Sequence, residues 1–447
     1  MSIHSYPEYL NEGVIYQINL RAFTPEGTLN AAAKLLPHIK GIGADIVYLC
    51  PCFGADADED IAGWSDRQRA SKLNNPQNPY RISDYYNVDP EYGTNDDLKA
   101  FVAAAHELDL KVILDLVYFH CGPSAVFLDE HPDFIVRDAE GKPDVGLWRF
   151  PKLNFASEGL REYLTRNMEL FVRDFGVDGY RCDVGDGVPL DFWAQAKERI
   201  DAIRPGLMML NEGSKPDYID VFDLNYGWFF CSEFRACVEE GKPASSFVES
   251  HMSYSQNHLQ GSFNSVAMLE NHDFVNDDYD HRLESRIGHA AMDLGFALNY
   301  TLPNVPFIYN GTEVADTNRH SIWGNRFHGA NLVIDWQNAL TKPGAERLKL
   351  IRTLSALRHT MPVLGMKGSL AFASASDEHI LAYKRELEGD RIAVIANLSG
   401  EEVSAVTELT SFEIDPIMLR GATVSLNGPE GKLSAILKPY GFAIIEF

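Results

Sequence analysis

Residues 177–183 read Val-Asp-Gly-Tyr-Arg-Cys-Asp, and the fold turns on whether this run is the end of a strand. Side chains alternate along a strand, so Arg181 and Asp183 share one face. Amphipathic stretches flank the run on both sides, Leu160–Phe175 before it and Leu190–Ile203 after it. The same alternation continues outward. Short runs rich in β-branched and aromatic residues occur at Val14–Leu20, Asp45–Cys50, Lys111–Val117, Leu207–Glu212, Val221–Leu224, Ser265–Glu270 and Val305–Tyr309. Helical patterns such as Thr28–Ile39 and Asn95–Leu108 separate them. Strand–helix alternation implies right-handed βαβ units and a parallel sheet. Eight such strands predict an α/β chain closed into a (β/α)8 barrel. No G-x-G-x-x-G follows an early strand, which disfavours an open dinucleotide-binding sheet.

A chain of 447 residues fits one large barrel with a smaller satellite. Beyond Pro362 the pattern becomes short alternating strands, at His379–Arg385, Arg391–Leu398, Ala422–Leu426 and Phe442–Phe447. They predict a C-terminal antiparallel β-sandwich. The expected organisation is a barrel over residues 1–360 and a sandwich over 361–447. Two connections are too long for turns: Pro51–Gly93, and a short insertion, 121–157, after the third barrel strand. Long ordered loops on this side of a barrel build its site.

Composition narrows the partners. With 45% hydrophobic and 23% charged residues the chain can bury a core. A net charge of −25 disfavours nucleic acid and anionic membranes, which select basic patches, and leaves neutral ligands open. The stretch 290–309 is broken by Asp293, Asn299, Pro303, Asn304 and Pro306, so no membrane span is expected. The opening MSIHSYPEYLNEG has neither a basic n-region nor an apolar h-region, which predicts a cytoplasmic protein. The six cysteines show no metal-ligand spacing and read as buried thiols in a reducing compartment.

In a barrel, the C-terminal tips of the strands share one mouth. Read at those tips, the sequence brings together Asp115 and His120, then Arg181 and Asp183, then Glu212, then Glu270, His272 and Asp273. Burying so many charges without a use costs on the order of several kcal/mol each unless they are paired. The tip of the first strand, Tyr16-Gln17-Ile18-Asn19, holds no histidine, and no zinc-binding histidine pair stands beside a glutamate. Glycoside hydrolysis needs no metal: one carboxylate attacks the anomeric carbon while a carboxylic acid protonates the leaving oxygen. Arg181 is placed to hold Asp183 ionised by lowering its pKa. Burial and neighbouring carboxylates suit Glu212 to the acid.

These residues resemble the conserved regions of the α-amylase family of glycoside hydrolases, family 13. The resemblance rests on Gly179–Asp183, Asp115–His120, Glu212 and Asn271–Asp273, and on Pro79–Tyr86, Glu91–Thr94, Leu153-Asn154 and Pro306–Glu313. It implies a retaining α-glucoside hydrolase with Asp183 as nucleophile, Glu212 as general acid/base and Asp273 as transition-state stabiliser. It further implies that Tyr80 stacks on the sugar, that His120 and His272 bond its hydroxyls, and that Arg181 orients the nucleophile. Asp115 reads as structural. Retention implies carboxyl groups about 5–5.5 Å apart.

Several positions depart from the family's pattern. Phe119 stands where an Asn ligates a structural calcium, and a phenyl ring cannot ligate a cation that takes about six to eight oxygens. No metal or other cofactor is therefore expected. Asp186-Gly187 replaces a Lys-His pair on the leaving-group side, and Arg21–Gly27 lacks an Asp-rich cation loop. Val184 resembles the α-1,6-cleaving oligosaccharidases. Trp64, Trp148, Trp228 and Trp323 stand in loops, where they either stack on sugars or pack. The expected substrate is a short maltooligosaccharide or related α-glucan. The alternatives are a transglycosidase or isomerase of the same family, and a non-catalytic carbohydrate-binding barrel. Linkage, endo or exo attack and oligomeric state are left open.

Overall fold

The computed structural model describes residues 6–258, 264–277, 282–327 and 333–447, with 255–258 and 276–277 described by their backbone. Its strands in chain order are β1 (Ile15–Ile18), β2 (Ile46–Leu49), β3 (Phe53–Ala55), β4 (Ile82–Val88), β5 (Lys111–Leu116), β6 (Gly179–Cys182), β7 (Met208–Asn211), β8 (Leu224–Tyr226), β9 (Ser265–Met268) and β10 (Val305–Tyr309). After the barrel come β11 (Ser369–Ala373), β12 (Ile380–Leu387), β13 (Asp390–Asn397), β14 (Val403–Thr410), β15 (Asp415–Asn427) and β16 (Lys432–Glu446). Eight of them close a barrel in the order β1-β10-β9-β8-β7-β6-β5-β2, and every pair in it is parallel.

The two-residue period sorts the side chains. Ile15, Ile46, Tyr48, Ile113, Met208, Leu210, Val266, Met268, Val305 and Phe307 fill the barrel interior. Their neighbours Tyr16, Val47, Leu49, Val112, Leu114, Met209 and Ile308 pack outward under the helices. The interior rows continue upward into Asp115, Arg181 and Asp183, so polar groups replace apolar ones at the mouth. Asp115 lies in register with Arg181. At the bottom of β6, Gly179 has φ +153°, and a Cβ there would stand 2.1 Å from the carbonyl oxygen of Met208. Only glycine lets β6 and β7 approach so closely.

Differences from the sequence reading have local causes. The stretch Thr28–Ile39 forms two helices, Leu29–Ala33 and Leu36–Gly41. Pro37 lacks an N–H and is accommodated in the first turn of the second helix. The long connection after β2 contains the antiparallel hairpin β3–β4. Its irregular register hides it from a period count.

The C-terminal domain has six strands, two of which (β11 and β14) the sequence reading omits. β12 and β13 are buried on both faces, so Ile392, Val394 and Ala396 meet the barrel while Ala393 and Ile395 face β14 and the first half of β16. β14 alternates buried and exposed positions. The long strands β15 and β16 pair along their whole length, with a register shift near Arg420. The first half of β16 pairs with β14 and the second half with β13, which folds one hydrogen-bonded sheet into two facing layers. No helix among the described residues is long and apolar enough to cross a membrane.

Candidate active site

Arg181 organises the mouth of the barrel. It is fully buried, and its Nη1 donates to Asp115 Oδ1 at 2.7 Å and to Asp183 Oδ1 at 2.8 Å. Its Nη2 lies 3.0 Å from Glu212 Oε2. One guanidinium thus holds three carboxylates that come from β5, from the end of β6 and from the end of β7. Asp115 also accepts from Tyr48 Oη at 2.6 Å and Tyr80 Oη at 2.8 Å. It lies beneath the cleft and is not among the residues that line it.

The chain turns sharply after Asp183. Val184 takes φ +45° and ψ +42°, a left-handed conformation that costs a β-branched residue about 1–3 kcal/mol. The turn aims the Val184 N–H at Glu212 Oε2, 2.9 Å away. The two carboxylates named by the sequence are therefore joined twice, through Arg181 and through this amide.

Their protonation follows from burial. Desolvation pushes the Asp183 carboxyl well above the usual carboxylate range, with Glu212 and Asp115 adding to it and Arg181 opposing. Desolvation also raises Glu212 against the pull of Arg181. The expectation that Arg181 holds Asp183 below its ordinary value is corrected: the guanidinium lowers it, but removal from water is the larger effect. Two coupled acids of this kind titrate as a unit.

Tyr80 stacks on His272 with centroids 5.2 Å apart and planes 11° apart, and its Oη lies 2.7 Å from His272 Nε2. Gln17 Nε2 stands 2.7 Å from His272 Nδ1, which fixes the imidazole from the tip of β1. His120 Nε2 meets the Tyr80 carbonyl at 2.8 Å, while its buried Nδ1 has no hydrogen-bond partner among the described residues. Burial pushes His120 down to about 4 and His272 below its ordinary value, so both are neutral near pH 7. Asp273 is bound by Arg67 Nη1 at 3.0 Å. Burial alone would raise it, but His272, Arg67 and Arg181 outweigh that and lower it. Because His272 is neutral, the permanent cations facing Asp273 are the two arginines.

Together these groups line a cleft of about 500 Å³, part of it open to solvent. Tyr80, His120, Asp183, Glu212, His272 and Asp273 all reach it, with Arg181 beneath. Glu270 does not: its carboxylate is committed to Arg282 at 2.8 Å. Of the loop tryptophans, Trp148 and Trp323 form walls. Trp64 is buried and donates to the Asp58 carbonyl, and Trp228 packs on Tyr226 and Phe274. Sequence reasoning missed Arg67, Gln17 and Asn78. Arg67 lies in a five-residue helix (Asp66–Ala70) inside the β2–β5 connection, where nothing in the periodicity marks it. Gln17 carried a signal, since it stands at a strand tip.

Phe119 stands where the resemblance implies a calcium-ligating Asn, and a phenyl ring offers no oxygen. Phe119 places its ring 5.8 Å from that of Trp148, and Asp144 in the 121–157 insertion is paired with Lys152 at 3.0 Å. Among the described residues no group of three or more His, Cys, Asp or Glu side chains is placed to hold a metal ion.

The family description "Alpha amylase, catalytic domain" matches residues 6–140 and 144–347, and "Maltogenic Amylase, C-terminal domain" matches 370–444. The chain is 25% identical to a maltogenic α-amylase of Bacillus acidopullulyticus over all of its own length and 79% of that protein. It is 26% identical to a cyclomaltodextrinase of Geobacillus thermopakistaniensis, over 84% of this chain and 63% of the relative. Among solved structures, a noncanonic maltogenic α-amylase of Thermotoga neapolitana superposes with a TM-score of 0.81 at 24% identity, covering 98% of this chain and 99% of that one. A Nostoc punctiforme debranching enzyme gives 0.75 at 21% identity, covering 99% of each. Closed barrel, antiparallel tail and matched sequence agree: this chain belongs to the α-amylase family of glycoside hydrolases, family 13.

Proposed function

We propose that this enzyme hydrolyses α-glucosidic bonds of short maltooligosaccharides or related α-glucans with retention of configuration. The observation that carries the reading is the joint hold of Arg181 and the Val184 amide on Asp183 and Glu212. Asp183 accepts a bond from Arg181 Nη1, which opposes the rise that burial gives it. Glu212 accepts the Val184 N–H and lies 3.0 Å from Arg181 Nη2; of the pair, Asp183 is assigned the anion and Glu212 the proton.

In the first step the Asp183 carboxylate attacks the anomeric carbon, the bond to the leaving oxygen breaks, and Glu212 delivers its proton to that oxygen. In the second, Glu212 as carboxylate takes a proton from water, the water oxygen attacks the same carbon, and Asp183 is released. Asp273 binds sugar hydroxyls as charge develops, His120 and His272 bond them as neutral imidazoles, and Tyr80 offers a ring surface fixed by its stack on His272. No step calls on a metal.

The relatives' names support α-glucans as the substrate class. Incubation with maltose, maltotriose, isomaltose, panose, trehalose, sucrose and soluble starch, followed by chromatography, tests this. Shorter α-linked products with initial α-configuration are expected. Products of inverted configuration would overturn the retaining mechanism, and longer or rearranged saccharides would assign transglycosylation instead.

A further inference from the structure

Where the family pattern has a Lys-His pair, this chain has Asp186-Gly187, and the Asp186 carboxylate is turned toward the segment that follows Glu212. Its Oδ2 accepts from the backbone N–H of Ser214 at 2.7 Å and of Lys215 at 3.0 Å, and its Oδ1 accepts from Asn211 Nδ2 at 2.8 Å. The Asp186 carbonyl takes a further bond from Lys215 Nζ at 2.7 Å. The fit is close. A Cβ on Gly213 would stand 2.3 Å from the Asp186 carboxyl carbon, and a Cβ on Gly185 would stand 2.1 Å from Asn211 Oδ1.

We propose that Asp186 is a positioning residue for Glu212, locking the loop that carries the acid to the loop that carries the nucleophile. This rests on the reading of Glu212 as general acid/base. Glu212 is the hinge of a short arc, Asn211 to Lys215, and Asp186 grips that arc at Asn211 on one side and at Ser214 and Lys215 on the other. Between those grips the Glu212 carboxylate is held by the Val184 amide and its own N–H is bound by the Cys182 carbonyl at 3.0 Å. All of these holds except the Arg181 contact originate within residues 182–186, so the spacing between nucleophile and acid is set locally. Charge-assisted bonds from two consecutive amides to one carboxylate are strong and directional, and proton delivery is sensitive to sub-ångström placement of the donor.

The test compares two substrates of different proton demand. α-Glucosyl fluoride departs with little need of an acid, whereas maltotriose needs one. In Asp186→Ala, kcat/KM for maltotriose is expected to fall about tenfold or more, a fraction of the ~10²–10⁴ that general acid catalysis supplies, while that for the fluoride falls less than about threefold. Asp186→Asn keeps one acceptor oxygen and is expected to lie between. Gly213→Ala, which pushes on the same carboxylate, is expected to reproduce the split. Should Asp186→Ala not fold, the Asn and Gly213→Ala variants carry the comparison. Equal losses on both substrates, or no loss on either, would overturn the proposal. A Glu212→Gln variant that itself lacks the split would identify failure of the underlying assignment, and the proposal would fall with it.

Discussion

Arg67 and Asp273 form an ion pair at 3.0 Å across the wall of the cleft, linking the β2–β5 connection to the end of β9. The Arg67 guanidinium also sits 5.7 Å from the ring centre of Trp323, which belongs to the segment after β10. Three loops that are distant in sequence are thus tied beside one carboxylate. Asp273 is kept ionised by cations that do not titrate near neutrality, and it is already oriented before sugar arrives.

Arg67→Ala is therefore expected to weaken transition-state binding more than folding. A fall in kcat/KM for maltotriose of about tenfold is expected, with little change in thermal midpoint because Arg67 is more than one-third exposed. Steady-state kinetics with a thermal melt checks it, and an unchanged kcat/KM would remove Arg67 from the site.

Glu212→Gln is expected to lose cleavage of maltotriose by at least about 10²-fold while keeping much of the glycosylation step for an activated leaving group. Maltotriose cleavage at the wild-type rate would show that another group supplies the proton.

Burial raises both Asp183 and Glu212, and the sign of the stability effect follows. A carboxyl whose folded pKa exceeds its unfolded value binds more protons when folded. Its contribution is fully present below the unfolded pKa and is lost as pH rises through the folded one. Neutral substitutes are therefore expected to stabilise the protein at pH 7. Glu212→Gln should raise the melting temperature by on the order of 2 °C at pH 7, and less at pH 4. A lower midpoint at pH 7 would contradict the burial argument.

The same pair sets the pH–rate profile. Loss of the proton on Glu212 is expected to define the alkaline limb at a value above that of an ordinary carboxylate. His120, pushed down to about 4 by burial, does not contribute between pH 5 and 8. Substituting His120 by Asn should lower the rate without moving the alkaline limb, and a limb that shifts with His120 would reassign it.

Phe119 offers no oxygen where the family pattern has a calcium ligand, and Asp144 is paired with Lys152. Thermal unfolding is expected to be unchanged, within about 1 °C, by excess EDTA. A large drop would reveal a bound cation.

The barrel was legible in the chain because its strands obey a period of two and end in polar residues, and Asp183, Glu212 and Asp273 stand at those ends. Local chemistry suffices for that much: Gly179 permits a close strand approach, and Arg181 and Asp183 share a face through their spacing alone. The Thr28–Ile39 stretch misled because periodicity persists across a break that only Pro37 betrays. β11 and β14 were missed because edge strands carry a weaker apolar pattern. What tertiary structure alone decided is how charges are paired across loops. Arg67 reaches Asp273 from 206 residues away, and Gln17 reaches His272 from 255. The net rise of Asp183 likewise depends on the water excluded by all the segments around it. Periodicity records which face a side chain takes, whereas pairing and desolvation are sums over neighbours that the chain brings together only when the barrel closes.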